Sequence, residues 1–238
     1  MPRKIVSMRF DVITVFPEAF ASYLNTSILR RAQARGLIKV CLYNLRNFTE
    51  DKRRTVDDRP YGGGAGMVLM AKPILEAVDS IKPKAKTAKA KIIVLSAKGR
   101  QFNQKVANEW AKKYTRLILI SGRYEGVDER VRQALRAEEI SIGPYVLTDG
   151  DAPAMVVISA LARLIPGVIK LESLQEESHW NLLLKKEKRA RSGRGIEYPH
   201  YTRPELLTWR GKRYRVPVVL LSGDHKRIAE WRQKHGGL

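Results

Sequence analysis

Four consecutive β-formers, Leu117-Ile118-Leu119-Ile120, constrain this chain more than any other feature. A run that is apolar at every position reads as a strand buried on both faces, the usual condition of a parallel sheet. It runs into a sharp bend, Ser121-Gly122-Arg123-Tyr124-Glu125-Gly126, and then a charged helical segment at 127–135. A further segment ends in Ile140-Ser141-Ile142-Gly143-Pro144-Tyr145-Val146-Leu147-Thr148-Asp149-Gly150. In open α/β sheets, ligands sit beyond the carboxyl ends of such strands. Gly122 and Gly126 let backbone approach a ligand, and Glu125 and Asp128 add acceptors at the same edge. A plain strand–turn–helix connection with surface charges fits the spacing equally well.

The same alternation runs through the rest of the first two-thirds of the chain. Residues 8–16 and 38–45 read as strands, separated by a helix that Pro17 opens and Gly36 stops. A short helix is expected at 73–81. Ile92-Ile93-Val94-Leu95 repeats the buried-strand signal and enters Ser96-Ala97-Lys98-Gly99-Arg100. A helix over 103–113 carries Val106 and Trp110 on one face. Another, over 152–164, is small and apolar except for Arg163, and Pro166-Gly167 ends it. An arginine among such neighbours is rarely buried without a partner. Strands alternating with helices predict an α/β layered sheet.

Two stretches lack any period. Residues 46–66 hold Lys52-Arg53-Arg54 and then four glycines, at 62, 63, 64 and 66. Loops this long are usually functional or disordered. The glycines fit a nest of amides around an anion, or a flexible tether. No Gly-Lys-Ser/Thr follows, so the phosphate loop of ATPases is absent. The pattern is lost again over 168–178, which suggests an interdomain linker. Residues 185–195 set six cations against Glu187. Pro199-His200-Tyr201-Thr202-Arg203-Pro204 is stiff, and Ser222-Gly223-Asp224 is placed to cap a last helix through His235, packed by Ile228 and Trp231.

Charge narrows the partner. A net charge of +21 in 238 residues exceeds what solubility needs. It points to a polyanion, either nucleic acid or an anionic membrane surface. No apolar run reaches the length of a membrane span. The basic N-terminus lacks the apolar stretch of a secretion signal. The single cysteine, Cys41, excludes an internal disulfide and a cysteine metal cluster. Its alternating neighbours place it in a strand, as a buried, inert thiol. A reducing, cytoplasmic setting fits.

Five motifs then converge. Asp57-Asp58-Arg59-Pro60-Tyr61-Gly62-Gly63-Gly64-Ala65-Gly66-Met67 is the first and Ser121-Gly122-Arg123-Tyr124-Glu125-Gly126-Val127-Asp128-Glu129-Arg130 the second. Ser141-Ile142-Gly143-Pro144-Tyr145-Val146-Leu147, Tyr198-Pro199-His200-Tyr201-Thr202-Arg203-Pro204-Glu205 and Leu220-Leu221-Ser222-Gly223-Asp224-His225 complete them. Together, and in this order over about residues 8–236, they resemble the bacterial tRNA (guanine-N1)-methyltransferases. That family uses S-adenosylmethionine to methylate N1 of guanosine at tRNA position 37, beside the anticodon.

The resemblance implies a fold and a domain plan. After an extension at 1–7 comes a knotted catalytic domain at 8–166 of the SPOUT type, a layered α/β sheet with a C-terminal trefoil knot. Such a knot is an exception among folds. A linker at 167–181 follows, then a small, mainly helical, tRNA-binding domain at 182–238 with a basic insertion at 185–195, expected to be an arm that orders on tRNA phosphates. A homodimer with the site at the subunit interface is implied as well. A magnesium requirement is associated with the family, but no carboxylate cluster in this sequence points to a metal.

The resemblance also assigns residues. The cofactor pocket draws Leu95, Ser96, Ala97 and Gly99 from one bend and Gly122, Arg123, Tyr124, Glu125 and Gly126 from a second. The third bend gives Ser141, Ile142, Gly143, Tyr145, Val146, Leu147 and Gly150, with Ala154 on the helix beyond. Substrate tRNA meets Asp58, Arg59, Tyr61, Gly62 and Gly63, then Ser178, and then His200, Tyr201 and Arg203. Guanine N1 carries a proton and is a poor nucleophile until that proton leaves, so a positioned carboxylate serves as general base. The matching position is Glu177, where the family commonly has Asp, with Glu176 beside it. Arg163 matches the arginine that steadies negative charge on guanine O6.

The third bend departs from the family. It reads Thr148-Asp149-Gly150-Asp151 where paired glycines are common, so Asp149 is expected to narrow or recharge the pocket. Two other readings compete. A non-enzymatic RNA-binding or ribosome-assembly protein suits the charge equally but leaves the glycine bends unexplained. A related knotted enzyme acting on ribosomal RNA or a ribose oxygen differs only in the atom modified. A dinucleotide oxidoreductase is disfavoured, because no Gly-x-Gly-x-x-Gly follows a strand.

Overall fold

The computed structural model describes residues 8–81, 89–169 and 198–235. The chain divides into two compact units, Met1–Leu171 and Glu172–Leu238. In chain order the first unit opens with β1 (Met8–Thr14), a 3-10 turn (Pro17–Phe20), α1 (Ala21–Leu24), α2 (Ser27–Ala34) and β2 (Ile38–Asn44). A second 3-10 turn (Leu45–Phe48), β3 (Asp57–Asp58), β4 (Val68–Leu69) and α3 (Ala71–Ile81) follow. The unit continues with β5 (Ala90–Gln101), α4 (Gln104–Lys113), β6 (Arg116–Ser121), α5 (Glu129–Leu135), β7 (Glu138–Ser141) and α6 (Asp151–Ala162).

Leu117, Ile118, Leu119 and Ile120 are all buried at the middle of the sheet, whose order is β2-β1-β6-β5-β7. Every pairing in it is parallel. Successive strand side chains point to opposite faces, so one apolar run feeds two cores. Leu117 and Leu119 join Phe10, Val12 and Ile93 under α2, α4 and α6. Ile118 and Ile120 join Ile13 and Val94 under α3 and α5. The result is helix, sheet, helix. Trp110 and Val106 are buried on α4 as their spacing predicts. The Asn103 side chain accepts from the Val106 amide at 3.0 Å and starts that helix.

Several elements differ from their sequence reading. The helix expected from Pro17 to Gly36 is broken into a 3-10 turn and two α segments, with Ser27 at a φ of +48°. Cys41 is half-buried, because the outer strand β2 is largely half-exposed beyond Ile38. Residues 46–66 are partly ordered, since β3 pairs antiparallel with β4 and the glycines form the exposed tip of that ladder. Arg163 is the residue that ends α6, half-buried rather than set within it. Asp11 is a buried carboxylate that no pattern announced. It is held by Arg9 at 2.8 Å and Arg116 at 2.6 Å, the pairing a buried charge requires.

β5 also runs longer than 92–95. Ile140 pairs with Leu95 and again with Arg100, so the chain between those two residues loops out and returns to the same neighbour.

In the second unit, the described residues form a hairpin, β8 (Leu206–Trp209) with β9 (Lys212–Arg215), a short helix (Val218–Leu221) and a last helix (His225–His235). Asp224 accepts from the amides of Lys226 and Arg227 at 3.0 and 3.1 Å, the cap that its position predicts. Trp231 packs edge-on against Tyr198 and Tyr201 and stacks on His235. The hairpin is absent from the sequence reading, although Arg210-Gly211 is its signal. Both residues have positive φ, +49° and +75°, as a two-residue hairpin turn demands.

Candidate active site

One bend loops out of β5 between Leu95 and Arg100 and two leave the carboxyl ends of β6 and β7, and they meet where a glycine leaves room for backbone. A Cβ on Gly122 would lie 2.9 Å from the Leu95 carbonyl. One on Gly150 would lie 2.7 Å from the Gly122 nitrogen and 2.9 Å from the Ser121 Cα. One on Gly99 would lie 2.5 Å from the backbone of Glu139 and Ile140. The Gly150 amide donates to the Gly122 carbonyl at 2.7 Å and ties the second bend to the third.

Between the bends lies a cavity of about 340 Å3. Leu95, Ser96 and Ala97 line it from the first bend, and residues 122–126 from the second. Ser141, Ile142, Tyr145, Val146, Leu147 and Gly150 line it from the third. Three of the residues chosen from the sequence stand back. Gly99 packs behind the first bend and Gly143 against the Tyr145 ring. Ala154 is buried on α6, its amide donating to the Gly150 carbonyl at 2.9 Å. Lys98, inside the first bend, lines the cavity too, and Val127, Glu139 and Pro153 line it without having been singled out for it. Each sits one to three residues from a glycine bend, which is the signal that was open to use. Asp128 turns away, capping α5 and pairing with Arg130 at 2.6 Å.

The charges in the cleft are mostly paired. Asp149 faces Arg123 at 3.5 Å and accepts from the Asp151 amide at 2.9 Å, and Arg123 lies 4.4 Å over the Phe16 ring. Asp149 is thus tied to the second bend. Lys98 reaches Glu129 at 3.5 Å and Glu139 at 3.4 Å.

Beneath the third bend, Asp151 is buried and accepts from the Thr14 hydroxyl at 2.7 Å. Burial pushes its carboxyl above the ordinary aspartate range, against hydrogen bonds from Thr14 and Ser121. A raised folded-state pKa contributes stability that is present below the unfolded value and lost as pH rises through the folded one. Asp151→Asn should therefore remove the loss of melting temperature that this carboxyl causes as pH rises above the ordinary aspartate range. An unaltered pH profile in the variant would remove Asp151 as the cause.

The residues assigned to substrate lie in several places. Asp58, Arg59, Tyr61, Gly62 and Gly63 are exposed on the β3–β4 ladder and its tip. That ladder reaches the second bend, since Val68 bridges Tyr124 and Gly66 lies against the Glu125 carboxylate. His200, Tyr201 and Arg203 belong to the second unit. Glu177, Ser178 and the basic stretch 185–195 lie outside the described residues. Arg163 does not line the cavity: α6 begins at the third bend and runs for 12 residues, about 18 Å at 1.5 Å per residue, before reaching it.

A profile of the family described as tRNA (Guanine-1)-methyltransferase TrmD matches residues 8–237. The chain belongs to this methyltransferase family. It is 51% identical over 226 residues to a tRNA (guanine-N(1)-)-methyltransferase of Thermomicrobium roseum, covering 95% of this chain and 78% of that protein. Proteins with the same name from Dictyoglomus turgidum and Chloroflexus aggregans are 50% and 49% identical, covering 95% of this chain and 84% and 82% of their own lengths. All five motifs and all three bends fall inside the family match. No helix among the described residues is long and apolar enough to cross a membrane.

Proposed function

We propose that this methyltransferase transfers a methyl group from S-adenosylmethionine to N1 of guanosine 37 in tRNA, beside the anticodon. The observation that carries the reading is the cleft between three glycine bends in a chain of this family. Its volume of about 340 Å3 lies within the range of small-molecule sites, roughly 300–1,000 Å3. Leu95, Ile142, Leu147 and Pro153 offer an apolar wall, and Glu125 offers negative charge to a cationic donor. When bound there, S-adenosylmethionine supplies a methyl carbon on a sulfonium sulfur that departs as a neutral thioether.

The protein's share of an in-line transfer is mainly to position the reactants. Glu177 accepts the N1 proton, so that the N1 lone pair is free to form the new bond. The Arg163 guanidinium stabilises the negative charge that passes to O6. The exposed loop at Asp58, Arg59, Tyr61, Gly62 and Gly63 meets tRNA beside the second bend, and Ser178, His200, Tyr201 and Arg203 are further contacts to the same tRNA. The trefoil knot belongs to the same reading and rests on membership of this family. Among the described residues no group of three or more His, Cys, Asp or Glu side chains could hold a metal, and magnesium is given no step. A tRNA substrate implies work in the cytoplasm.

The distance from the third bend to Arg163 supports a dimer in which each cleft receives its arginine from the other subunit. Arg163→Ala should lower single-turnover methylation by about 10²- to 10³-fold, as loss of one charge-stabilising donor does elsewhere. Mixing Arg163→Ala subunits with subunits crippled in the cleft should restore part of the activity. Near-normal methylation by Arg163→Ala alone removes it from the mechanism.

The whole reading is tested with tRNA transcripts carrying guanosine or another base at position 37, alongside calorimetry with S-adenosylmethionine. Measurable heat of binding and 1-methylguanosine formed only at position 37 are expected. No heat of binding would leave an RNA-binding protein. A methyl group mapped by mass spectrometry to ribosomal RNA or to a ribose oxygen would change the substrate.

A further inference from the structure

We infer that the β8–β9 hairpin is a stacking platform for an unpaired RNA base, with Trp209 and Tyr214 as its aromatic surface. This rests on the tRNA reading and adds where and how an unpaired nucleotide is held. All eight strand residues of the hairpin are exposed. Leu207 pairs with Tyr214 and Trp209 with Lys212, and directly opposed residues share a face. One face therefore presents Leu207, Trp209, Tyr214 and Lys212. Leu207, Trp209 and Tyr214 are 52%, 61% and 53% exposed. The other face carries Leu206, Thr208, Arg213 and Arg215.

A two-stranded hairpin with water on both faces is marginal by itself, and large exposed aromatics mark a contact. Charge decides what makes it. Lys212 shares the aromatic face, Arg213 and Arg215 line the other face, and the Arg210 guanidinium at the turn lies 5.7 Å from the centre of the Trp209 ring. A hydrophobic protein partner would have to desolvate these cations. Single-stranded RNA needs them, because its bases stack on aromatic rings while its phosphates lie on Lys and Arg. The loops of a tRNA present such bases next to closely spaced phosphates.

The test uses the full chain and a tRNA transcript. Trp209→Ala should weaken tRNA binding by about tenfold, the size of one lost base stack, while Trp209→Phe keeps most of the affinity. Thermal melting and S-adenosylmethionine binding should not move in either variant. tRNA should quench less tryptophan fluorescence in Trp209→Phe than in the unsubstituted protein. Lys212→Ser with Arg213→Ser should lower the slope of log affinity against log salt by about two. Unchanged tRNA affinity in Trp209→Ala, with normal binding by the unsubstituted protein, overturns the platform and leaves the methyltransferase reading intact. No tRNA binding by the unsubstituted protein overturns both. If Trp209→Ala changes self-association in sedimentation, or binding to phosphatidylserine vesicles, while tRNA affinity holds, the hairpin serves a protein or lipid contact and the platform falls.

Discussion

Glu177→Gln should bind S-adenosylmethionine and tRNA as the unsubstituted protein does, yet methylate about 10²- to 10⁴-fold more slowly, the range that general-base catalysis contributes. The substitution keeps the shape and polarity of the side chain and removes only its capacity to take a proton. Guanine N1 must lose that proton before its lone pair can attack, so the loss falls on turnover rather than on binding. Single-turnover rates at saturating tRNA and donor measure it directly. Glu177→Asp, one methylene shorter and still a carboxylate, should retain most of the rate. If Glu177→Gln works at near-normal speed, Glu177 is not the base, and the neighbouring Glu176 becomes the carboxylate to examine.

Gly150→Ala should cost the protein its donor affinity. Gly150 has φ −89°, which alanine adopts freely, so any effect is steric rather than conformational. The added Cβ would lie 2.7 Å from the Gly122 nitrogen and 3.0 Å from the Ser121 hydroxyl. Neither backbone can yield without moving a bend, and the 2.7 Å hydrogen bond from Gly150 to Gly122 is strained first. Overpacking of this kind costs about 1–3 kcal/mol, and in a chain of this size about 2–4 °C of melting temperature per kcal/mol. The Kd for S-adenosylmethionine should rise by at least about tenfold, which equals 1.4 kcal/mol of binding energy. Gly99→Ala, with its Cβ 2.5 Å from the backbone of Ile140, should act in the same way through the first bend. Donor affinity unaltered in both variants would place the donor elsewhere than between these bends.

Where glycine stands and what it stands against were legible to different degrees. The sequence placed Gly99 and Gly122 after strands, because a burst of β-formers followed by a turn is a local signal, and it placed Gly150 at the end of a motif. It gave no hint that Gly99 abuts Ile140 or that Gly150 abuts Gly122, contacts that join segments many residues apart. Arg163 shows the same limit. Its apolar neighbours were plain, whereas its distance from the cleft depends on which end of α6 meets the third bend. The hairpin at Leu206–Trp209 and Lys212–Arg215 was missed despite its Arg-Gly turn, since neither strand buries an apolar face.

What the sequence determined by itself is the layered parallel sheet, the cap at Asp224, and the family. Continuous apolar runs, capping side chains and motifs act over a few residues or are matched one by one, and no packing is needed to see them. The tertiary structure alone decided that Ile140 pairs twice with β5, that Asp149 is tied to Arg123, and which backbone atoms Gly99 and Gly150 press against. Those outcomes follow from close packing between segments distant along the chain, where the absence of a single Cβ fixes which backbones touch.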